Sequence, residues 1–106
     1  MTKLSQPNKY HNVKTIVDGI TFDSKAEARR YGELVLLKRA GEIRWFNLQP
    51  SFLLTGGVRY RPDFIVCGND GRIWVEDVKG VATQAFRIKQ KIWAALYPDM
   101  WLEVIK

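Results

Sequence analysis

The order of local signals in this 106-residue chain predicts an α/β fold, a mixed central sheet flanked by two helices. Three observations carry that prediction. Two helical periods are present, the first opened by a capping box and the second closed by a proline. Three strand-forming runs lie between them, and a fourth follows the second helix. An Asp-Gly turn between two short β-rich runs precedes the first helix and adds an N-terminal hairpin.

Residues 1–12, MTKLSQPNKYHN, are polar and basic and read as a flexible arm, leaving residues 13–106 as a single folded domain. Val13-Lys14-Thr15-Ile16-Val17 and Ile20-Thr21-Phe22 flank Asp18-Gly19 as the two arms of the hairpin. Ser24 followed by Glu27 has the capping-box spacing, and the helix it opens extends to about residue 40, where Gly41 supplies a left-handed stop. Residues 43–54 are apolar but interrupted by Gln49-Pro50, which suits an edge strand or two short pieces. Gly56-Gly57 marks a turn, and residues 58–67 read as the next strand with Pro62 inside it. Gly68-Asn69-Asp70-Gly71 is a strong turn, followed by a strand over 72–79. A second helix is expected over 83–96, with Ala85, Ile88, Ile92, Trp93 and Leu96 as its apolar stripe. Residues 101–105 alternate as a last strand, and the four tryptophans are expected in the core.

Composition narrows the function. With 46% hydrophobic and 12% aromatic residues the chain can build a core. Seventeen Lys and Arg against 11 Asp and Glu give a net charge of +6, which favours a polyanionic partner. One cysteine, Cys67, precludes an internal disulfide, and a single histidine, His11, excludes histidine-rich metal sites. Any metal is therefore a hard cation held by carboxylates, such as magnesium or manganese. No apolar run is long enough for a signal peptide or membrane span, so a cytoplasmic location is expected, with no membrane partner.

Strand alternation places the chemistry. In Ile73-Trp74-Val75-Glu76-Asp77-Val78-Lys79, Asp77 and Lys79 share one face with Ile73 and Val75, and Glu76 falls on the other; a bulge would turn Glu76 inward in place of Asp77, but alternation argues for Asp77. A hairpin closed by the Gly68–Gly71 turn brings Asp63, which follows Pro62, toward Asp77. Neighbouring carboxylates repel unless a cation lies between them, and a divalent cation resolves the conflict. Either residue alone reads more simply as a surface carboxylate; the pair favours a metal site. At about 100° per residue, Glu27 sits on the helix stripe of Tyr31, Leu34 and Lys38, where it is both a capping residue and a candidate site residue. Lys89 falls inside the apolar stripe of the second helix, either snorkelling to water or reaching the anionic site of Lys79. Lys9, His11, Lys14, Arg59, Arg61, Arg87 and Lys91 are candidates for following a phosphate backbone, through their summed charge rather than individual identity.

With Glu27, Pro62-Asp63 and Asp77-Val78-Lys79 in place, the sequence resembles the PD-(D/E)xK nuclease superfamily, and within it a small phage-encoded family. The matching stretches are Lys9-Tyr10-His11-Asn12, Asp18-Gly19, Phe22-Asp23-Ser24-Lys25, Gly41-Glu42-Ile43, Gln49-Pro50, Pro62-Asp63-Phe64 and Val75-Glu76-Asp77-Val78-Lys79-Gly80, which span nearly the whole chain. The resemblance implies a restriction-endonuclease-like αβββαβ core and metal-dependent hydrolysis of phosphodiester bonds in DNA. It makes Asp63, Asp77 and the Val78 carbonyl ligands of Mg2+, for which Mn2+ substitutes. Lys79 would activate the attacking water, Glu27 add an acidic group, and Gln49 and Lys89 position substrate. Structure-selective cutting of branched or junction DNA fits so small a chain, and a homodimer would set two sites on opposite strands as a Holliday-junction resolvase requires. No small-molecule cofactor is implied. The rival readings are a DNA-binding module without catalysis and a partner-dependent subunit of a phage recombination or packaging complex.

Overall fold

A computed structural model describes residues 13–106. The expected basic arm, with Lys9, Tyr10 and His11, lies outside the described residues. The first ladder is a hairpin of β1 (Thr15–Val17) and β2 (Ile20–Phe22). Its turn residues Asp18 and Gly19 both have positive φ, 52° and 77°, as a two-residue turn matched to strand twist requires.

Helix α1 (Lys25–Arg39) begins where expected, with Ser24 Oγ accepting from the Glu27 amide at 3.1 Å. It ends in a paired cap: the Glu42 amide donates to Leu37 and the Gly41 amide to Lys38, with Gly41 at φ 78°.

The central sheet has the order β3 (Ile43–Leu48), β6 (Phe64–Gly68), β7 (Ile73–Val78), β8 (Leu102–Ile105). The first two pairings are antiparallel and the last is parallel, linked by helix α2 (Gln84–Leu96). The sheet is mixed, as expected. Residues 43–54 form two short pieces, as expected, the first at the sheet edge, whereas the strand expected over 58–67 is broken. Gln49 adopts φ 47° and Pro50 has no amide to donate, so the chain leaves the ladder after β3. It then forms a separate hairpin of β4 (Phe52–Leu53) and β5 (Arg59–Tyr60), joined by a 3-10 turn at Thr55–Gly57. Buried Pro62 ends that excursion before β6 begins.

Side chains of the two sheet faces pack into two clusters. Phe22, Ala28, Leu34, Ile43, Phe64 and Val66 fill the space under α1. Leu54, Tyr60, Val75, Phe86 and Trp93 fill the space under α2 and the β4–β5 hairpin. The helices thus cover opposite faces, and adjacent residues of β7 belong to different layers.

The buried stripe of α2 differs from the expected one. Phe86 and Trp93 are buried, with Lys89 and Gln90 half-buried on the same side, whereas Ala85, Ile88 and Leu96 face outward. Aromatic rings remove more apolar area than the branched aliphatics, so the helix turns to seat Phe86 and Trp93. Trp93 also finds a polar partner, donating its ring N–H to the Met100 carbonyl at 2.6 Å. Of the tryptophans expected inside, Trp93 is fully buried, Trp45 and Trp74 are half-buried, and Trp101 lies at the surface, stacked on Trp74. Among the described residues, no helix is long and apolar enough to cross a membrane.

Candidate active site

The Gly68–Gly71 turn sets β6 against β7 so that Phe64 faces Glu76 and Ile65 faces Val75, which brings Asp63 to the level of Asp77. The Asp63 amide donates to the Glu76 carbonyl at 3.0 Å, and its own carbonyl accepts from the Gln49 amide at 2.9 Å. Asp63 is therefore fixed by backbone on both sides. Its side chain turns back on β7, where Oδ2 accepts from the Val78 amide at 2.7 Å.

Asp77 is buried on the α2 side of the sheet. Its Oδ2 accepts from the Tyr60 hydroxyl, and its Oδ1 lies 3.8 Å from Lys79 Nζ. The Lys79 ammonium also sits over the Phe86 ring, 5.0 Å from its centroid, which anchors the stem without neutralising the charge. Asp77 lies close enough to Asp63 to perturb its carboxyl. Burial, then Asp77, pushes the Asp63 carboxyl up to about 8, and Glu27 adds a weaker push in the same direction. The local environment favours a protonated Asp63, or an external cation beside it, over a bare Asp63 carboxylate.

Glu27, at the start of α1, is half-buried beside this pair. Burial raises its affinity for a proton, Asp23 and Asp77 add to that, and Lys79 opposes it. Glu27, Gln49 and Asp63 line one cleft of about 110 Å³, walled by Ile20–Phe22 of β2. That arrangement assembles four residues singled out in the sequence, Glu27, Asp63, Asp77 and Lys79, with Gln49 at the cleft wall. Lys89 stops short of them: its Nζ lies 5.6 Å from the centroid of the Tyr60 ring, whose hydroxyl is the one that reaches Asp77.

The donor set suits a hard cation. Asp63 Oδ1 lies outside the hydrogen bonds just described, and Asp77 Oδ1 faces the Lys79 ammonium at 3.8 Å. In extended backbone a residue's N–H and C=O leave the same edge, so the Val78 carbonyl projects on the side from which Asp63 receives the Val78 amide. Two carboxylate oxygens, a carbonyl and waters are what magnesium accepts. Among the described residues, however, no group of three or more His, Cys, Asp or Glu side chains gathers closely enough to hold a metal ion. Glu27 borders the pair and does not complete a three-acid set.

Glu76 is engaged elsewhere. On the α1 side of the sheet it is 1% exposed and receives Arg30 Nε and Nη2, both at 2.7 Å, and the Trp74 ring N–H at 2.9 Å. Alternation along β7 therefore holds through Asp77 without a bulge, and Glu76 does not turn inward to replace it.

The remaining candidates are surface cations. Lys14 pairs with Asp23 at 3.8 Å, Arg59 reaches Ser51 Oγ at 3.4 Å, and Arg61, Arg87 and Lys91 are exposed. Arg59 and Arg61 flank Tyr60 on the hairpin, while Arg87 and Lys91 lie on α2. Sequence reasoning missed Tyr60 and Arg30. The signal for Tyr60 was its place in Arg59-Tyr60-Arg61-Pro62-Asp63, a lone aromatic between exposed arginines. The signal for Arg30 was a strand glutamate, Glu76, that alternation puts on the face opposite Asp77 and Lys79 and so under the first helix.

Compared with curated proteins, the chain matches none. A family model matches residues 7–106, so the protein belongs to the family described as "Protein of unknown function (DUF1064)".

Proposed function

We propose that the protein is a divalent-cation-dependent endonuclease that hydrolyses phosphodiester bonds in DNA, with branched or junction DNA as its preferred substrate. The observation that carries this reading is the Asp63–Asp77 pair at the β6–β7 end, with Lys79 Nζ 3.8 Å from Asp77 Oδ1. Two mutually repelling carboxyls are stabilised by a cation and gain nothing from a purely structural role. The order α1, β3, β6, β7, α2, β8 supports a restriction-endonuclease-like αβββαβ core. So does the resemblance in sequence to PD-(D/E)xK nucleases.

Asp63, Asp77 and the Val78 carbonyl would hold Mg2+, with Mn2+ able to substitute. When bound, the cation polarises the phosphate and lowers the pKa of a coordinated water. The chain's own residues supply the rest. Lys79, seated on Phe86, offsets negative charge developing on the phosphate. Glu27 stands at the cleft with a raised affinity for a proton and accepts one from the incoming water. Arg59, Arg61, Arg87 and Lys91 contribute phosphate contacts whose strength falls with salt.

A second reading, a DNA-binding or partner-dependent subunit without catalysis, is favoured by one observation. The two carboxylates do not belong to a three-acid cluster among the described residues. Labelled four-way junction, nicked, single-stranded and duplex DNA, with duplex RNA, incubated with Mg2+, Mn2+ or EDTA separate the two. The nuclease reading expects cutting that needs the cation and disappears in Asp77→Asn. Equal DNA binding by both proteins with no cutting establishes the second reading instead.

A further inference from the structure

A carboxylate that binds a cation works only if its free oxygen points the right way, and Asp77 has a second bond that decides this. Tyr60 is 5% exposed, and its hydroxyl donates to Asp77 Oδ2. The ring itself is held edge-on to Trp93, with centroids 5.9 Å apart, and the Lys89 ammonium lies over it. Among the described residues its strand β5 pairs with β4 alone, where Phe52 stands opposite Tyr60. Phe52 packs edge-on against Trp93 at 4.8 Å and against Tyr97 at 5.6 Å. The β4–β5 hairpin is thus seated on α2 by aromatic contacts, outside the central ladder, and one hydroxyl carries that seating to Asp77.

We infer that Tyr60 is a positioning residue for the cation centre: by holding Asp77 Oδ2 it presents Oδ1, beside Lys79, as the oxygen offered to a divalent cation. The inference rests on the cation-dependent reading above and extends it to a hairpin that contributes no ligand. Without the hydroxyl, the carboxylate rotates and its Oδ2 becomes an unsatisfied buried acceptor or turns to Asp63. Partners of this kind typically set metal affinity by about 10- to 100-fold. Arg59 and Arg61, exposed on either side of Tyr60, put the polyanion-facing surface of the hairpin within one residue of that hydroxyl.

The test is Mn2+ binding to the full chain without DNA, followed by the electron paramagnetic resonance signal of free Mn2+. Natural protein, Tyr60→Phe, Phe52→Leu and Asp77→Asn are compared, each with a thermal unfolding curve. Tyr60→Phe keeps the ring and is expected to weaken Mn2+ binding about 10- to 100-fold. Phe52→Leu loosens the seat while leaving Tyr60 and Asp77 themselves unaltered and is expected to weaken Mn2+ binding by a smaller factor. A hairpin that serves stability alone would lower the unfolding midpoint and leave the Mn2+ affinity of the folded protein unchanged. If natural protein binds Mn2+ and Asp77→Asn does not, unchanged affinity in Tyr60→Phe overturns the inference and leaves the nuclease reading standing. If Tyr60→Phe does not fold, unchanged affinity in Phe52→Leu overturns it. Natural protein that binds no Mn2+ overturns both.

Discussion

Glu76 and Asp77 are consecutive residues of one strand, both buried, and their surroundings are opposite in kind. Glu76 faces α1 and receives three strong donors, two from Arg30 and one from Trp74. Asp77 faces α2 and meets a hydroxyl, a lysine at 3.8 Å and another carboxyl. The first environment neutralises its charge within the fold. The second leaves a carboxyl pair short of positive charge. A satisfied buried carboxylate fastens a helix to a sheet, whereas an undersatisfied one reserves a place for something from outside. The contrast separates structure from chemistry more sharply than burial does, since both residues are nearly inaccessible.

The comparison can be broken most forcefully at Arg30. Arg30→Met leaves Glu76 buried without its cation, and urea unfolding should show a loss of about 3–5 kcal/mol. Adding Glu76→Leu to that variant should recover most of the loss, because the penalty lies in the orphaned charge. Trp74→Phe removes one donor to the same carboxylate and the stack on Trp101, and should cost about 1.5–3 kcal/mol in the same measurement.

The Asp77 side should respond to pH instead. Asp63 has an ordinary value of 3.8 and is pushed up to about 8 in the fold, so the protonated carboxyl is the favoured form. Its contribution is fully present below its ordinary value, erodes as pH rises, and is lost once pH passes about 8. Cation-free protein should therefore unfold more readily at pH 9 than at pH 6, and millimolar Mg2+ should flatten the difference. The smallest effect is expected from Asp77→Asn, which relieves the repulsion on Asp63. Stability should rise slightly, within about 1 kcal/mol of the natural protein, where Arg30→Met falls steeply. A large loss from Asp77→Asn would erase the distinction between the two residues.

Short-range signals made much of this legible. The Ser24 cap, the Gly41 stop and the Asp18-Gly19 turn each depend on chemistry within a few residues, and each appears where the sequence puts it. The level match of Asp63 with Asp77 was legible for the same reason, since one tight turn fixes the register between them. What failed depends on distant partners. The face of α2 was misjudged because periodicity counts Ile88 and Leu96 equally with Phe86 and Trp93, while packing weighs ring area and the shape of the sheet. The strand over 58–67 looked continuous because Pro62 alone does not reveal that residues 59–60 leave to pair with 52–53. Tyr60 and Arg30 escaped notice because each serves a residue far from it in sequence: Arg30 stands 46 positions from Glu76, and Tyr60 17 positions from Asp77.

The parallel pairing of β7 with β8 has a consequence for how the protein is made. β7 carries both buried carboxylates, yet its partner on that edge is translated only after the whole of α2. The Val75 amide waits for the Trp101 carbonyl, and the Lys79 amide for that of Ile105. Until those residues leave the ribosome, the nascent chain presents an open strand edge beside Val75, with its hydrogen-bonding groups free to recruit another chain. Interrupted synthesis before residue 101 would yield a product bearing Asp63 and Asp77 but prone to edge-to-edge association, a substrate for chaperones and proteases.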